Sequence, residues 1–312
     1  MRIVSLEEIH SILPRLDLLP SIEEGFTAYS AGKAVVPPVA ELLLDRGEVH
    51  IKYGYIRDQD LYVIKIASGF YRNSELGLPS GQGMMLLFNQ ASGVPVALLQ
   101  DEGHLTDLRT ALAGAVCAKY LAPKELSRIG IVGTGVQARL QLRQLEEIVS
   151  CRRVLVWGRS LPALENYQRD LADSPFQIAT TLRVEDIQKE CRLIVTTTPT
   201  HEPLLKTAAL RSGTHITAVG SDTRSKQELE SGILKRADLV VADSIQQCQE
   251  RGEIYQALKA GQLIPGDLQE LGRIIAGEEA ERTADDQVTV ADLTGVAVQD
   301  IEIASAVFRA LE

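Results

Sequence analysis

The chain predicts an α/β protein in two parts: a doubly wound parallel sheet, preceded by an α+β domain with a mainly antiparallel sheet. Three observations predict it. Between residues 40 and 101, five apolar runs follow one another at hairpin spacing. From Ser127 onward, apolar strands alternate with helical patterns. Where the grammar changes stands a glycine turn, IVGTGVQA, inside the stretch Arg128 to Leu142 and long after the chain has begun.

The first 30 residues join a short strand, RIV, to two helical patterns, SLEEIHSIL and SIEEGFTAYSAG, the second closing on Gly32. The runs AELLLDRG, EVHIKYGYI, LYVIKIASGF, GMMLLFNQ and VPVALLQD read as strands, separated by the turn signals DRG, RDQD, SGQG and QASG. LTDLRTALAGAVCAKYLAP carries apolar residues at helical spacing and stops at Pro123. RIGIVG is then a strand, and VQARLQLRQLEEIV an amphipathic helix with Leu142, Leu145 and Val149 on one face. RRVLVWGR is a second strand and LPALENYQRDLA a second helix. FQIATTL, RLIVTTTPT, HITAVGS and DLVVADS are further strands with helical segments between them. Such alternation implies right-handed βαβ units. The last segment, VTVADLTGVAVQDIEIASAVFRAL, reads as a strand, a glycine turn and a closing helix expected to return to the first domain. The expected boundaries are residues 1–120 with 295–312 for the first domain, and 121–294 for the second.

Composition narrows the function. With 45% apolar and 24% charged residues, the chain has the makeup of a folded globular protein. A net charge of −10 without a dense Lys/Arg run argues against nucleic acid or an anionic membrane as partner. A local site can still hold a small anion. Cys117, Cys151, Cys191 and Cys248 form no C-x-x-C pair, so neither a disulfide framework nor a zinc site is expected. His10, His50, His104, His201 and His215 show no ligand spacing, and no metal is expected. No G-x-S-x-G elbow exists, which excludes the usual serine-hydrolase arrangement. The start, MRIVSLEEIHSIL, lacks the apolar core of a signal peptide, and no run approaches the ~18 apolar residues of a membrane span. A cytoplasmic location is expected.

In IVGTGVQA, Gly133, Gly135 and Ala138 complete a G-x-G-x-x-A pattern between strand and helix. The first glycine permits the tight turn and the second lets backbone approach a pyrophosphate. The small third residue allows close helix–strand packing, and the helix N-terminus faces the phosphates. This is a Rossmann-type dinucleotide signal, weak as a bare pattern and strengthened by its context. Val136 and Gln137 lie in the same turn, and Thr197 and Val219, at the ends of later strands, are further expected cofactor contacts. The second strand ends in VWGRS, where an NAD site usually offers a carboxylate to the ribose 2′-hydroxyl. Arg159 and Ser160 stand there instead. Arg159 can pair with a 2′-phosphate, so NADP(H) is favoured and NAD(H) is the alternative. A merely solvated Arg159 is the plain reading.

Six pieces, in this order, carry a resemblance through the whole chain: VIKIASGF, GLPSGQGMMLLF, HLTDLRTALAGAVCAKYL, IVGTGVQA, ITAVGSDTRSKQEL and VTVADLTGVAVQD. Together they resemble the ornithine cyclodeaminase/μ-crystallin superfamily. RGEVHIKYGYI and VADLTGVAVQD are most similar to its ectoine-utilisation cyclodeaminase-like branch. The resemblance implies that the first 120 residues bind substrate and form a homodimer, and that the substrate is a small amino or imino acid. It implies an NAD(P)H-dependent reductase of α-imino acids. The alternative is an ornithine cyclodeaminase-type ammonia lyase, acting on a diamino acid with bound NAD and placed by the branch resemblance in ectoine catabolism. A third possibility, from another class, is a binding protein, the role μ-crystallin itself plays.

The resemblance also assigns residues. Lys65 matches the family's substrate-contacting lysine, able to hold a carboxylate or move protons; without the resemblance it reads as a strand lysine with its tip in water. Arg109 matches the carboxylate-binding arginine, whose planar fork suits a bidentate grip. Asp222, just after a predicted parallel strand, matches the catalytic aspartate, with an Asx-type cap as the plain reading. Ser80 falls where relatives carry a substrate-contacting Thr or Ser. In one place the chain departs from the family. Several relatives carry an arginine in the stretch matching PPVAELLL, where this chain has Glu41. Either Arg46 or Lys52 replaces it, or the substrate differs. Glu41, if it faces the site, would favour a substrate with an additional ammonium group.

Overall fold

The computed structural model describes residues 1–70 and 72–312. They divide into two units, residues 1–109 with 296–312 and residues 110–295. The fold is the α/β arrangement expected: one mainly antiparallel sheet with its own helices, and one all-parallel sheet.

The first unit holds β1 (Arg2–Val4), β2 (Ala34–Val35), β3 (Ala40–Leu44), β4 (Gly47–Ile56), β5 (Leu61–Gly69), β6 (Gly81–Asn89) and β7 (Pro95–Leu99). Their order is β1-β7-β6-β5-β4-β2, with β3 also on β4. β1 runs parallel to β7, and every other pair is antiparallel. The five expected strands are all present; β1 and the two-residue β2 extend their sheet. Ser5 opens the helix Leu6–Ile12 with a capping box to Glu8, and the helix Leu19–Ser30 ends ahead of Gly32 at φ +69°.

Alternation separates the two faces of this sheet. Ile56, Leu61, Val63, Met85, Leu87, Ala97 and Leu99 are buried on the inner face. The closing helix Ala297–Ala310, buried along most of its length, lies against β4 and β5 there. Lys52 and Lys65 point to this same apolar side, directly opposite each other across the β4–β5 pair. Residues of the opposite parity form the outer face. They include Ile51, Tyr53, Ile64, Ile66, Met84 and Leu86, paired across three strands and left half-buried or exposed.

The second unit holds β8 (Ile129–Val132), β9 (Arg153–Trp157), β10 (Gln177–Thr181), β11 (Leu193–Thr196), β12 (His215–Ala218), β13 (Leu239–Ala242), β14 (Leu268–Glu270) and β15 (Thr289–Asp292). All are parallel, in the order β10-β9-β8-β11-β12-β15-β13-β14. β8, β11, β12 and β15 are buried throughout, as strands covered on both faces must be. Strand order reverses between β8 and β11, which opens a crevice at their carboxyl ends. The helix expected to run to Val149 spans only Val136–Gln144. Beyond it, Glu146 and Ile148 donate backbone N–H groups to carbonyls three residues back, so the chain tightens into turns. No helix among the described residues is long and apolar enough to cross a membrane.

Candidate active site

The glycine turn sits where the strand order reverses. Gly133 has φ +124°, and a Cβ there would stand 2.5 Å from Thr197 Oγ1. Gly135 is the N-cap of Val136–Gln144, and a Cβ there would meet nothing within 4 Å. That open space faces a cavity of about 530 Å³, lined by residues including Gly133, Thr134, Gly135, Gly158, Arg159 and Thr197. Such a volume suits part or all of a small ligand. Ala138 is fully buried, and its carbonyl accepts a 2.9 Å hydrogen bond from Tyr167 Oη, which locks the helix to its neighbour. Val136 is exposed and Gln137 half-buried in the first helical turn. Ser160 is the exposed N-cap of Leu161–Asp170 and makes no side-chain cap. Val219 is buried and donates its N–H to Thr196 O. The cradle therefore fits a dinucleotide's pyrophosphate: a backbone turn with room over Gly135, at a helix N-terminus.

Glu228 ties the loops after β11 and β12 together. Its oxygens accept from Thr196 Oγ1 (2.7 Å), Thr198 N (2.6 Å), Thr198 Oγ1 (2.7 Å) and Gly220 N (2.8 Å). Burial raises its carboxyl to about 7, against these hydrogen bonds. Two residues beyond Gly220, Asp222 faces Lys226, whose Nζ donates to Asp222 Oδ1 at 2.7 Å. The Lys226 side chain is buried while Asp222 keeps 38% of its own exposed, so the carboxylate is held and still accessible.

In the first unit, the sheet and helices bring Lys52, Lys65 and Arg109 together around one aspartate. Asp300 Oδ2 lies 3.1 Å from Lys65 Nζ, and Asp300 Oδ1 lies 2.9 Å from Arg109 Nε. Both are close contacts between opposite charges. Arg109 Nη1 donates to Gln299 Oε1 at 2.9 Å. Burial lowers the Lys65 ammonium to about 7; Arg109 and Lys52 add to this and Asp300 opposes it. Asp300 moves the other way: burial pushes its carboxyl up, but Arg109, Lys65 and Lys52 together hold it below the ordinary value. Asp101 caps Leu105 N at 2.9 Å, and burial raises its carboxyl. Two buried basic groups, Lys65 and Arg109, thus meet one ionised carboxylate, with Lys52 adding to the positive field. Buried charge requires compensation, and an arrangement of this kind can seat an anion.

Ser80 lies elsewhere. It precedes Gly81, whose partner Gly69 is four residues along β5 from Lys65, or ~13 Å at strand spacing, and it is exposed. Glu41 stands on the Lys52 face of the β3–β4 pair, 3.4 Å from His50 Nδ1. Arg46 is exposed in the turn between those strands. Sequence reasoning passed over Asp300, Gln299, Lys226 and Glu228. The signal for Asp300 was present: an acidic residue between Val298 and Ile301 in an apolar helix needs a cationic partner. Among the described residues, no cluster able to hold a metal appears, and the four cysteines are buried thiols.

A Rossmann-like unit with a glycine cradle, joined in one chain to a mixed-sheet unit with a buried cationic seat, defines a class. The sequence profile of the ornithine cyclodeaminase/mu-crystallin family matches residues 2–312, and the chain belongs to that family. It is 41% identical to an uncharacterized cyclodeaminase, y4tK, of Sinorhizobium fredii, over 100% of this chain and 96% of that one. Among solved structures it is similar to an archaeal alanine dehydrogenase dimer with bound NAD (TM-score 0.91, 31% identity, 99% and 95% of the two chains). It is also similar to the Δ1-pyrroline-2-carboxylate reductase of Thermococcus litoralis in complex with NADH and L-proline (TM-score 0.93, 27% identity, 99% and 97%).

Proposed function

We propose that the protein is an NAD(P)H-dependent reductase of α-imino acids. The observation that carries this reading is the buried pair Lys65 and Arg109 on one Asp300, with the buried Lys52 opposite Lys65, a seat for a carboxylate. Arg109, braced by Gln299 and Asp300, orients the α-carboxylate, and Lys65 and Lys52 supply the remaining positive charge. A bound nicotinamide would supply the hydride for the imine carbon. As that carbon is reduced, the C=N electron pair passes to nitrogen, and an iminium becomes an amine. Asp222 accepts the hydrogen bond of the iminium N–H, so its negative charge favours the electrophilic form, and Lys226 holds the carboxylate in place. Gly133, Gly135 and the first turn after them receive the pyrophosphate, with Val136, Gln137, Thr197 and Val219 nearby in the crevice wall and its loops. Arg159, a cavity-lining residue where a carboxylate would select NAD, supports NADP(H).

Substrate binding and dimerisation are assigned to the first unit. Its outer sheet face, with Tyr53, Ile64 and Met84 among the apolar residues left uncovered, suits pairing with a second copy. Buried unpaired thiols suit a reducing cytoplasm.

One observation favours a second reading. Glu41 shares a face with Lys52 and offers a partner to a second substrate ammonium. That suits an ornithine cyclodeaminase-type lyase acting on a diamino acid, in line with the resemblance to the ectoine-utilisation branch. Assays with cyclic and linear α-imino acids and with diamino acids, using NADPH and NADH, separate the two. Cofactor consumption with an imino acid, and no ammonia from diamino acids, is expected. Ammonia and a cyclic amino acid without net cofactor change would establish the lyase instead.

A further inference from the structure

The seat around Asp300 has a proton balance as well as a charge balance. Among the described residues, the charged groups that act on Lys65 come from several elements. β4 brings Lys52, the helix His104–Leu121 brings Arg109, and the closing helix brings Asp300, with Gln299 holding Arg109. Asp101 lies before that first helix with one oxygen on Leu105 N, and β6 places Met85 opposite. Of these, Asp300 alone meets both Lys65 and Arg109 by direct contact, one oxygen to each. It fixes where the two cations stand, and it opposes the repulsion between them.

We propose that Asp300 is the positioning residue of this anion seat, and that a carboxylate enters it together with a proton, which Lys65 takes up. The proposal rests on the reading of Lys65 and Arg109 as a carboxylate seat. Lys65 and Arg109 meet the one carboxylate of Asp300 in a buried space, and burial together with the neighbouring cations lowers the Lys65 ammonium toward neutral pH. An arriving carboxylate adds negative charge beside Lys65 and Arg109 and makes the ammonium form favourable again. Binding and protonation are then one linked event. A Lys65 that regains its proton as substrate arrives is an acid delivered to the site with the substrate.

The probe is propionate, which carries the carboxylate and has no amine. It is titrated calorimetrically at millimolar concentration, with excess NAD+, at pH 6 and pH 8, each in two buffers of different ionisation enthalpy. The wild type is expected to take up clearly more of a proton at pH 8 than at pH 6, where Lys65 is already largely charged. Lys65→Met is expected to bind more weakly and take up none. Asp300→Asn removes the group that favours the ammonium, so its uptake moves to lower pH, present at pH 6 and lost at pH 8. A merely structural aspartate would leave that pH pattern in place. Should D300N not fold, the wild-type and K65M arms decide the coupling alone. Propionate binding at pH 8 without proton uptake, or uptake that persists in K65M, overturns the proposal and leaves the carboxylate seat standing. Absence of propionate binding overturns the seat itself.

Discussion

Replacing Gly133 and, separately, Gly135 by alanine separates folding from dinucleotide binding. At Gly133 the backbone is at φ +124° and a Cβ would lie 2.5 Å from Thr197 Oγ1. Backbone strain plus the displacement of Thr197 costs roughly 2–4 kcal/mol. For a protein of this size that lowers Tm by about 3–6 °C. Gly135 has φ −81°, which any residue adopts, and space where its Cβ would go. G135A should therefore lose at most about 1 kcal/mol, the penalty for alanine at an N-cap. Its Cβ would project where a pyrophosphate must approach, so the NADPH dissociation constant should rise at least about tenfold, equivalent to 1.4 kcal/mol. Thermal melts and fluorescence titrations with NADPH and NADH read both effects. A G135A protein that binds either dinucleotide as tightly as the wild type would refute the cradle. Wild-type melting of G133A would refute the strain.

Arg159→Ala should lower kcat/KM with NADPH about tenfold, the value of one exposed charge-assisted phosphate contact, and leave NADH kinetics unchanged; equal losses with both would remove Arg159 from cofactor choice. Ile64→Glu on the outer sheet face should convert a dimer to monomer in light scattering, because it puts a carboxylate in the middle of an apolar patch; an unchanged mass would place the interface elsewhere. Burial raises the Glu253 carboxyl from 4.5 to about 8, with the neighbouring Glu228 second. The native state then keeps a proton that the unfolded chain releases, so stability falls as pH rises from about 4.5 to 8. Glu253→Gln lacks this loss, and its stability relative to wild type in urea should improve by several kcal/mol between pH 5 and pH 8; parallel pH profiles would contradict it.

What could be read in the sequence follows from where each signal resides. Strand alternation and continuous apolar runs are local patterns, and β3 to β7 and the parallel strands from β8 onward are where those patterns lie. The three-residue β14 is too short to show any period, and it became visible only through its pairing with β13. The glycine turn is likewise local. Asp300 is not: its partners lie on β5 and on the helix His104–Leu121, and Gln299 is 190 residues from Arg109. The carboxylate in VAVQDIEIA declared a buried charge without naming its partner. Lys226 is only four residues from Asp222, yet their pairing depends on a loop whose path no periodicity predicts.

The proposed reaction passes a hydride to the α-carbon of an imino acid seated on Arg109 and Lys65. The most direct test is to incubate the protein with NADPH deuterated at nicotinamide C4 and Δ1-pyrroline-2-carboxylate, then locate deuterium in the product by NMR. Deuterium at the α-carbon of proline, transferred with stoichiometric cofactor oxidation and lost in R109A, is the predicted result. Unconsumed cofactor and no deuterium in any product, from this imine and from its linear counterparts, would rule out this hydride transfer.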